Sequence, residues 1–170
     1  MNAASPHYGT YRFDKIFPLI VDDSAHIRKL LKDVLFCFGC TRVIEASDGS
    51  EALATLKQSR VDVIFTNWVM SPMDGIEFLK QMRNPDNSPD PYVPIIMISA
   101  HSTLDHIKRS RDAGANAFLT KPFTPASLAR ILATIIEAPR PFIKTKTYFG
   151  PDRRVKDFPQ QSEDRRVAAA

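Results

Sequence analysis

The chain has 170 residues, of which 44% are hydrophobic and 25% charged, a composition typical of one ordinary globular domain. Two cysteines are too few for a disulfide scaffold, and no apolar run comes near the length of about 18 residues that a membrane span needs. Basic residues exceed acidic ones by four, and the whole excess lies in residues 139–170, with eight basic and four acidic side chains. The N-terminal residues lack the apolar core of a signal peptide, so a cytoplasmic location is expected.

Short apolar runs alternate with helix-like segments along residues 15–138. The predicted strands are FPLIVDD (17–23), RVIEA (42–46), VDVIFT (61–66), VPIIMISA (93–100) and NAFLT (116–120). Apolar residues spaced three and four apart predict a helix after each strand, with Ser24 as the first N-cap and Gly39 and Gly114 as stops. Residues 48–50, Asp-Gly-Ser, are predicted to form a turn before the second helix.

This order of elements predicts an α/β fold. Near-continuous apolar strands are typical of a parallel sheet with both faces covered, and right-handed crossovers make such a sheet doubly wound. Residues 1–14 are predicted to be an N-terminal extension. Residues 139–170 contain four prolines and no sustained periodicity, so a mostly irregular tail, extended or disordered, is expected there.

Polar and charged residues follow the predicted strands. Asp22 and Asp23 end the first strand, Asn67 follows the third, Ser99 ends the fourth and Lys121 follows the fifth. The carboxyl ends of parallel strands meet at one edge, where such folds bind ligands. Paired carboxylates suit Mg²⁺, and a lysine with a hydroxyl suits a phosphoryl group.

Four motifs in order resemble the receiver domain of two-component response regulators: VDDS after strand 1, NWVMSPMDG after strand 3, ISA in strand 4 and TKPF after strand 5. The resemblance covers about residues 15–138 and implies a flavodoxin-like strand order of 2-1-3-4-5. It also implies Mg²⁺ binding by Asp22, Asp23 and the Val69 carbonyl, phosphoryl contacts by Ser99 and Lys121, and an activation switch formed by Ser99 and Phe118. A sensor histidine kinase or another signalling protein is the implied partner.

One position departs from the family pattern in a way that changes the chemistry. Asn67 stands where the family carries its phosphoaccepting aspartate, and a carboxamide has no oxygen nucleophile comparable to a carboxylate. Mg²⁺ affinity is expected to be weakened. Three explanations stay open: a natural receiver that signals by protein contacts without phosphate, an introduced Asp→Asn change, or another phosphate acceptor. Thr66 is adjacent, but strand alternation points it to the other face.

The basic tail repeats the triplet Asp-Arg-Arg. Its arginines are candidate contacts for an anionic ligand or an acidic partner: Arg153, Arg154, Arg165 and Arg166. Some receiver-like proteins with arginine-rich appendages bind cyclic di-GMP, and this tail is loosely similar. No helix-turn-helix follows the receiver, so sequence-specific DNA binding is not expected. No serine–histidine or cysteine–histidine set falls at the strand ends, so the chain is not expected to be an enzyme. The Cys37-x-x-Cys40 pair is interpreted as structural.

Overall fold

The structure, a computed structural model, describes residues 13–154 and the backbone of residues 160–161. Five strands of the main sheet are β1 Pro18–Val21, β2 Ile44–Ala46, β3 Val63–Asn67, β4 Ile95–Ser99 and β5 Ala117–Thr120. The helices that follow them are α1 Ala25–Cys37, α2 Gly49–Leu56, α3 Gly75–Met82, α4 Leu104–Ala113 and α5 Pro125–Glu137. None of the helices within the described residues is long and apolar enough to cross a membrane.

The main sheet has the order β2-β1-β3-β4-β5, and every neighbouring pair is parallel. A two-residue strand, β8 Gln160–Gln161, pairs parallel with β5 at the edge of this sheet, whereas the intervening strands β6 (Phe142–Lys144) and β7 (Phe149–Pro151) form a separate sheet. This order confirms the flavodoxin-like α/β fold that the family resemblance implied. The strand order changes direction between β1 and β3, although the strands themselves are parallel. The loops that follow these two neighbouring strands therefore lie next to each other.

Alternation along the strands divides the core into two layers. Leu19 and Phe118 face the layer formed with α2, α3 and α4, whereas Ile20 and Leu119 face the layer formed with α1 and α5. All four side chains are almost completely buried. The strands are apolar in nearly every position because helices cover both faces of the sheet.

Side-chain caps set the helix boundaries. The Ser24 hydroxyl accepts from the Ile27 amide, as predicted for the start of α1. Asp48 caps α2, so residues 48–50 form the cap and first turn of this helix and the separate turn predicted there is wrong. Gly114 ends α4 with a φ of +104°, a left-handed conformation that glycine adopts without strain.

The first part of the tail forms a hairpin of β6 Phe142–Lys144 and β7 Phe149–Pro151, paired antiparallel. Phe142 packs against Tyr92 and Phe149, with ring centroids 5.2 and 5.7 Å away. Arg140 donates to the carbonyls of Ala115 and Asn116 at 3.0 and 2.8 Å. Where a mostly irregular tail, extended or disordered, was expected, residues 142–151 thus form a regular hairpin that contacts the loops preceding β4 and β5.

Arg83 lies beneath this hairpin. Its Nε, Nη1 and Nη2 donate to the Gly114 carbonyl, the Pro91 carbonyl and the Asn116 side-chain oxygen, each at 2.9 Å. Its guanidinium also lies 5.1 Å from the centre of the Phe142 ring. Burial lowers the pKa of Arg83 to about 9, so the group still carries its charge at neutral pH.

The packed unit begins before the predicted boundary at residue 15. Phe13 is buried against Phe38, with ring centroids 5.7 Å apart, and its carbonyl accepts a contact of 3.4 Å from the Cys40 thiol. Burial raises the pKa of Cys40, which makes its thiol a poor nucleophile. Both cysteines are free thiols, Cys40 buried and Cys37 exposed, and the structural interpretation of the pair stays a prediction.

Candidate functional site

The predicted polar residues converge at the carboxyl edge of the sheet. Asp22 and Asp23 follow β1, Asn67 ends β3 and Ser99 ends β4. Lys121 follows β5, and its backbone amide donates to the Ser99 carbonyl at 2.8 Å. The parallel order of the strands therefore assembles the site from residues that are up to 99 positions apart in the chain.

The Asn67 carboxamide lies at the centre of this site. Its Nδ2 donates to Asp23 Oδ1 at 3.2 Å and to the Val69 carbonyl at 2.8 Å. Its Oδ1 accepts from Lys121 Nζ at 3.2 Å. Both N–H bonds and the oxygen of the side chain are thus occupied by the residues that the sequence placed in the site.

Lys121 also forms an ion pair with Asp22, with Nζ 2.7 Å from Oδ2. The Asp22 side chain is only 3% exposed and that of Lys121 17%, so the pair is largely removed from water. The other carboxylate oxygen of Asp22 accepts from the Ser24 amide at 2.9 Å. A buried carboxylate needs such partners, because an unpaired charge away from water is strongly unfavourable.

The glycine of the MDG motif shapes the loop that carries Val69. A Cβ atom on Gly75 would lie 2.0 Å from the Asn67 carbonyl oxygen, closer than atoms can approach. The Gly75 amide donates to the Trp68 carbonyl at 2.8 Å, which closes the loop over residues 68–75. Glycine at this position therefore lets the loop fold back so that the Val69 carbonyl meets the Asn67 side chain.

The oxygen groups fit a hard divalent cation in part. Carboxylates of Asp22 and Asp23 and the carbonyl of Val69 are ligands of the type that Mg²⁺ prefers. The fourth group is the Asn67 carboxamide, which directs N–H bonds at two of these oxygens. Among the described residues no three His, Cys, Asp or Glu side chains group into a metal-binding cluster, and residue 67 adds no carboxylate to those of Asp22 and Asp23.

The two residues assigned to a switch lie in different surroundings. Ser99 is buried, and its Oγ accepts from the His101 amide at 3.0 Å, across the start of the β4–α4 loop. Phe118 is fully buried in the layer formed with α2, α3 and α4, on β5 three residues before Lys121. Phe118 therefore packs in the core, and its part in a switch with Ser99 stays a prediction.

Trp68 connects the site to α4, which sequence reasoning missed. Its ring meets His106 edge-on, with centroids 4.8 Å apart, and the Arg109 guanidinium lies 5.4 Å from its centre. His106 also stacks with His101, with centroids 5.5 Å apart. The sequence places Trp68 next to Asn67, but no local pattern shows which helix a loop side chain will contact.

The two arginines of the first Asp-Arg-Arg triplet, Arg153 and Arg154, have partners other than the site residues. Arg153 stacks on Tyr148, with the guanidinium 4.1 Å from the ring centre, and pairs with Asp112 at the C-terminal end of α4. Arg154 binds Asp152 through two nitrogens and holds the pKa of that carboxyl at about 2. Arg165 and Arg166 lie outside the described residues. The predicted tail ligand therefore stays a prediction.

Comparisons with known proteins agree with this geometry. A family model for the response regulator receiver domain matches residues 19–133. The chemotaxis protein CheY-3 of Vibrio cholerae serotype O1 is 37% identical over 119 residues, covering 70% of this chain and 90% of its own. The solved structure of Vibrio cholerae CheY4 is 33% identical with a TM-score of 0.65, covering 71% of this chain and 98% of that one.

A further solved structure holds the metal that the resemblance implied. It is the receiver domain of the sensor histidine kinase PA1611 from Pseudomonas aeruginosa, with a magnesium ion coordinated in its active site cleft. It is 28% identical with a TM-score of 0.65, covering 72% of this chain and 98% of its own. By its motifs, its fold and the extent of these matches, the chain belongs to the response regulator receiver domain family and is a CheY-like regulator of two-component signalling.

Proposed function

We propose that this receiver signals through protein–protein contacts and accepts no phosphoryl group at residue 67. The observation that carries the proposal is the carboxamide at the centre of the site, bonded on all sides to Asp23, Val69 and Lys121. In a phosphorylatable receiver this position must supply a carboxylate oxygen to attack phosphorus. The nitrogen lone pair of an amide is delocalised into its carbonyl. The Asn67 side chain therefore acts as a hydrogen-bonding group and not as a nucleophile.

The rest of the pocket keeps the residues that would surround a phosphoryl group. Asp22, Asp23 and the Val69 carbonyl would hold Mg²⁺, with an affinity weakened by the missing carboxylate. When bound, the ion would supply positive charge to neutralise phosphoryl oxygens. Lys121 is drawn instead onto Asp22 and Asn67, where it fixes the ends of β1, β3 and β5 relative to one another.

The α4 surface is the contact face that this proposal favours. Leu104 is 71% exposed, and Lys108 and Arg109 are exposed beside it. An exposed apolar residue with Lys108 and Arg109 one turn further along the helix, and with the exposed Asp105 next to it, suits a partner that offers an apolar patch and acidic groups opposite the two cations. Trp68 joins this helix to the site loop, so a partner that binds α4 also senses the loop after β3.

The position of Thr66 disfavours this residue as an alternative phosphate acceptor. Thr66 is completely buried, and its hydroxyl donates to the Asn67 carbonyl at 3.1 Å. A phosphodonor would have to displace the core to reach it. An aspartate at position 67 in the natural protein remains the competing explanation, and it predicts the same fold with a different pocket chemistry.

The test is phosphotransfer from acetyl phosphate with Mg²⁺, followed by intact mass measurement and peptide mapping. We expect no phosphoryl adduct on this chain and a hydroxylamine-sensitive adduct on the Asn67→Asp variant, which keeps every other pocket residue. The variant serves as the positive control. An adduct on the unmodified chain that maps to residue 67 would overturn the proposal.

A further inference from the structure

The hydrogen bonds of Asn67 point to a second consequence, which rests on the proposed function. The oxygen atoms that receive its two N–H bonds are Asp23 Oδ1 and the Val69 carbonyl. These are two of the three groups that would hold a divalent cation. The carboxamide therefore occupies one lone pair on each of two oxygens that a metal ion would use.

The orientation of the carboxamide follows from its neighbours. The nitrogen faces a carboxylate and a carbonyl, which can only accept, and the oxygen faces the Lys121 ammonium, which can only donate. Turning the group over would set its oxygen against two acceptors and its nitrogen against a cation. The network is consistent in one orientation only, in which every polar atom of the side chain has a partner.

The net charge of the pocket also indicates that the carboxamide takes the place of a cation. Asp22, Asp23 and Lys121 together carry a net charge of −1, and an aspartate at position 67 would make it −2. A cluster of side chains with a net charge of −2 is stabilised by a bound cation. With asparagine, one carboxylate is removed and two donors are added at the place where the cation would act.

We infer that the Asn67 carboxamide replaces the divalent cation as the group that holds this pocket together. It joins Asp23 after β1 to the Val69 loop after β3, and through Lys121 it reaches the end of β5. The pocket is thereby complete without metal. A divalent cation that binds these two oxygens meets the N–H groups of Asn67 there, so the side chain competes with the metal for its ligands.

This mechanism is separable from a simple loss of charge. The Asn67→Ala variant has the same formal charge as the unmodified chain but lacks the competing donors. Competition predicts that Mg²⁺ affinity falls in the order Asp, Ala, Asn at position 67, with Ala binding about tenfold more tightly than Asn. Charge alone predicts equal affinities for Ala and Asn. A carboxamide oxygen acting as a metal ligand predicts that Asn binds more tightly than Ala.

The experiment is isothermal titration of the three proteins with Mg²⁺, and with Mn²⁺ as a second probe, after circular dichroism has shown that each is folded. The order Asp, Ala, Asn supports the inference. Equal affinities of Ala and Asn, or tighter binding by Asn, would overturn it. Phosphotransfer is not read out here, so a failure of this inference is distinct from a failure of the proposed function.

A measurement on the unmodified chain keeps the inference testable if the alanine variant does not fold. The side-chain NH₂ resonances of Asn67 are followed by nuclear magnetic resonance during Mg²⁺ addition. We expect them to stay in place and exchange slowly at concentrations that saturate the Asn67→Asp variant. Movement or loss of these resonances at those concentrations would show that the metal displaces the carboxamide and would contradict the inference.

Discussion

Lys121 and Asp22 form an ion pair, 2.7 Å from Nζ to Oδ2, that joins the end of β5 to the end of β1. The Asp22 carboxylate is nearly inaccessible to water, so loss of its partner leaves a charge that the protein solvates poorly. We expect Lys121→Met to lower the free energy of unfolding by about 2 kcal/mol in urea titrations. Lys29→Met, which removes an exposed pair with Asp33, is the control and should change it by less than about 0.5 kcal/mol. Equal effects of the two substitutions would contradict the account of the site.

The hairpin is predicted to stabilise the domain through Phe142. This ring packs on Tyr92 and Phe149 and lies over the Arg83 guanidinium, but it is only partly buried. Phe142→Ala should therefore cost about 2 kcal/mol, less than truncation of a fully buried phenylalanine. Thermal unfolding measures the loss, with Lys146→Ala in the exposed turn as a control. An unchanged melting temperature would mean that the hairpin contributes nothing to the fold.

Ser110 on α4 offers a stabilising substitution. Its side chain is completely buried, and among the described residues its hydroxyl is the one buried side-chain polar atom without a hydrogen-bond partner. Ser110→Ala removes that unsatisfied group and improves helix propensity, so stability should rise by about 1 kcal/mol. Ser102→Ala, on the exposed loop before α4, should have almost no effect. A loss of stability at Ser110 would reveal a partner for the hydroxyl.

Glu45 on β2 is predicted to contribute to the stability of the fold in a way that depends on pH. A hydrogen bond from Lys32, with Arg28 adding to it, lowers the pKa of its carboxyl below the ordinary value. The lowered pKa in the folded state means that the contribution is complete above pH of about 4.5 and is lost as pH falls through the folded pKa.

The pair is partly exposed, so Glu45→Gln should cost only about 0.5 kcal/mol at pH 7. The difference between the two proteins should shrink as pH falls through the folded pKa and disappear once the carboxyl is protonated in both states. Urea titrations across this range measure it, with Asp86→Asn in an exposed loop as the control. A difference that grows on acidification would have the wrong sign.

The fold and the position of the site could be predicted from the sequence because both depend on local patterns. Apolar runs fixed the strands, Ser24 and Gly114 marked helix ends, and the parallel order of the strands brought Asp22, Asn67 and Lys121 to one edge. The motif spacing also identified Val69, whose carbonyl indeed meets Asn67.

What could not be predicted depends on contacts between distant residues. The hairpin is held by Phe142 on Tyr92 and by Arg140 on the carbonyls before β5, and neither contact leaves a periodic pattern in the tail. The packing of Trp68 on α4 and the burial of Arg83 are tertiary in the same way. The bonding of the Asn67 amide depends on exact distances, which residue types alone do not supply.

The central claim, that residue 67 cannot be modified by a phosphoryl group, is tested most directly by titration with beryllofluoride in the presence of Mg²⁺. Trp68, the single tryptophan of the chain, is adjacent to residue 67 and reports the occupancy of the site by its fluorescence. We predict no change for this chain and a saturable change for Asn67→Asp, because beryllofluoride mimics a phosphoryl group by bonding to a carboxylate oxygen. A saturable change in the unmodified chain would contradict the account.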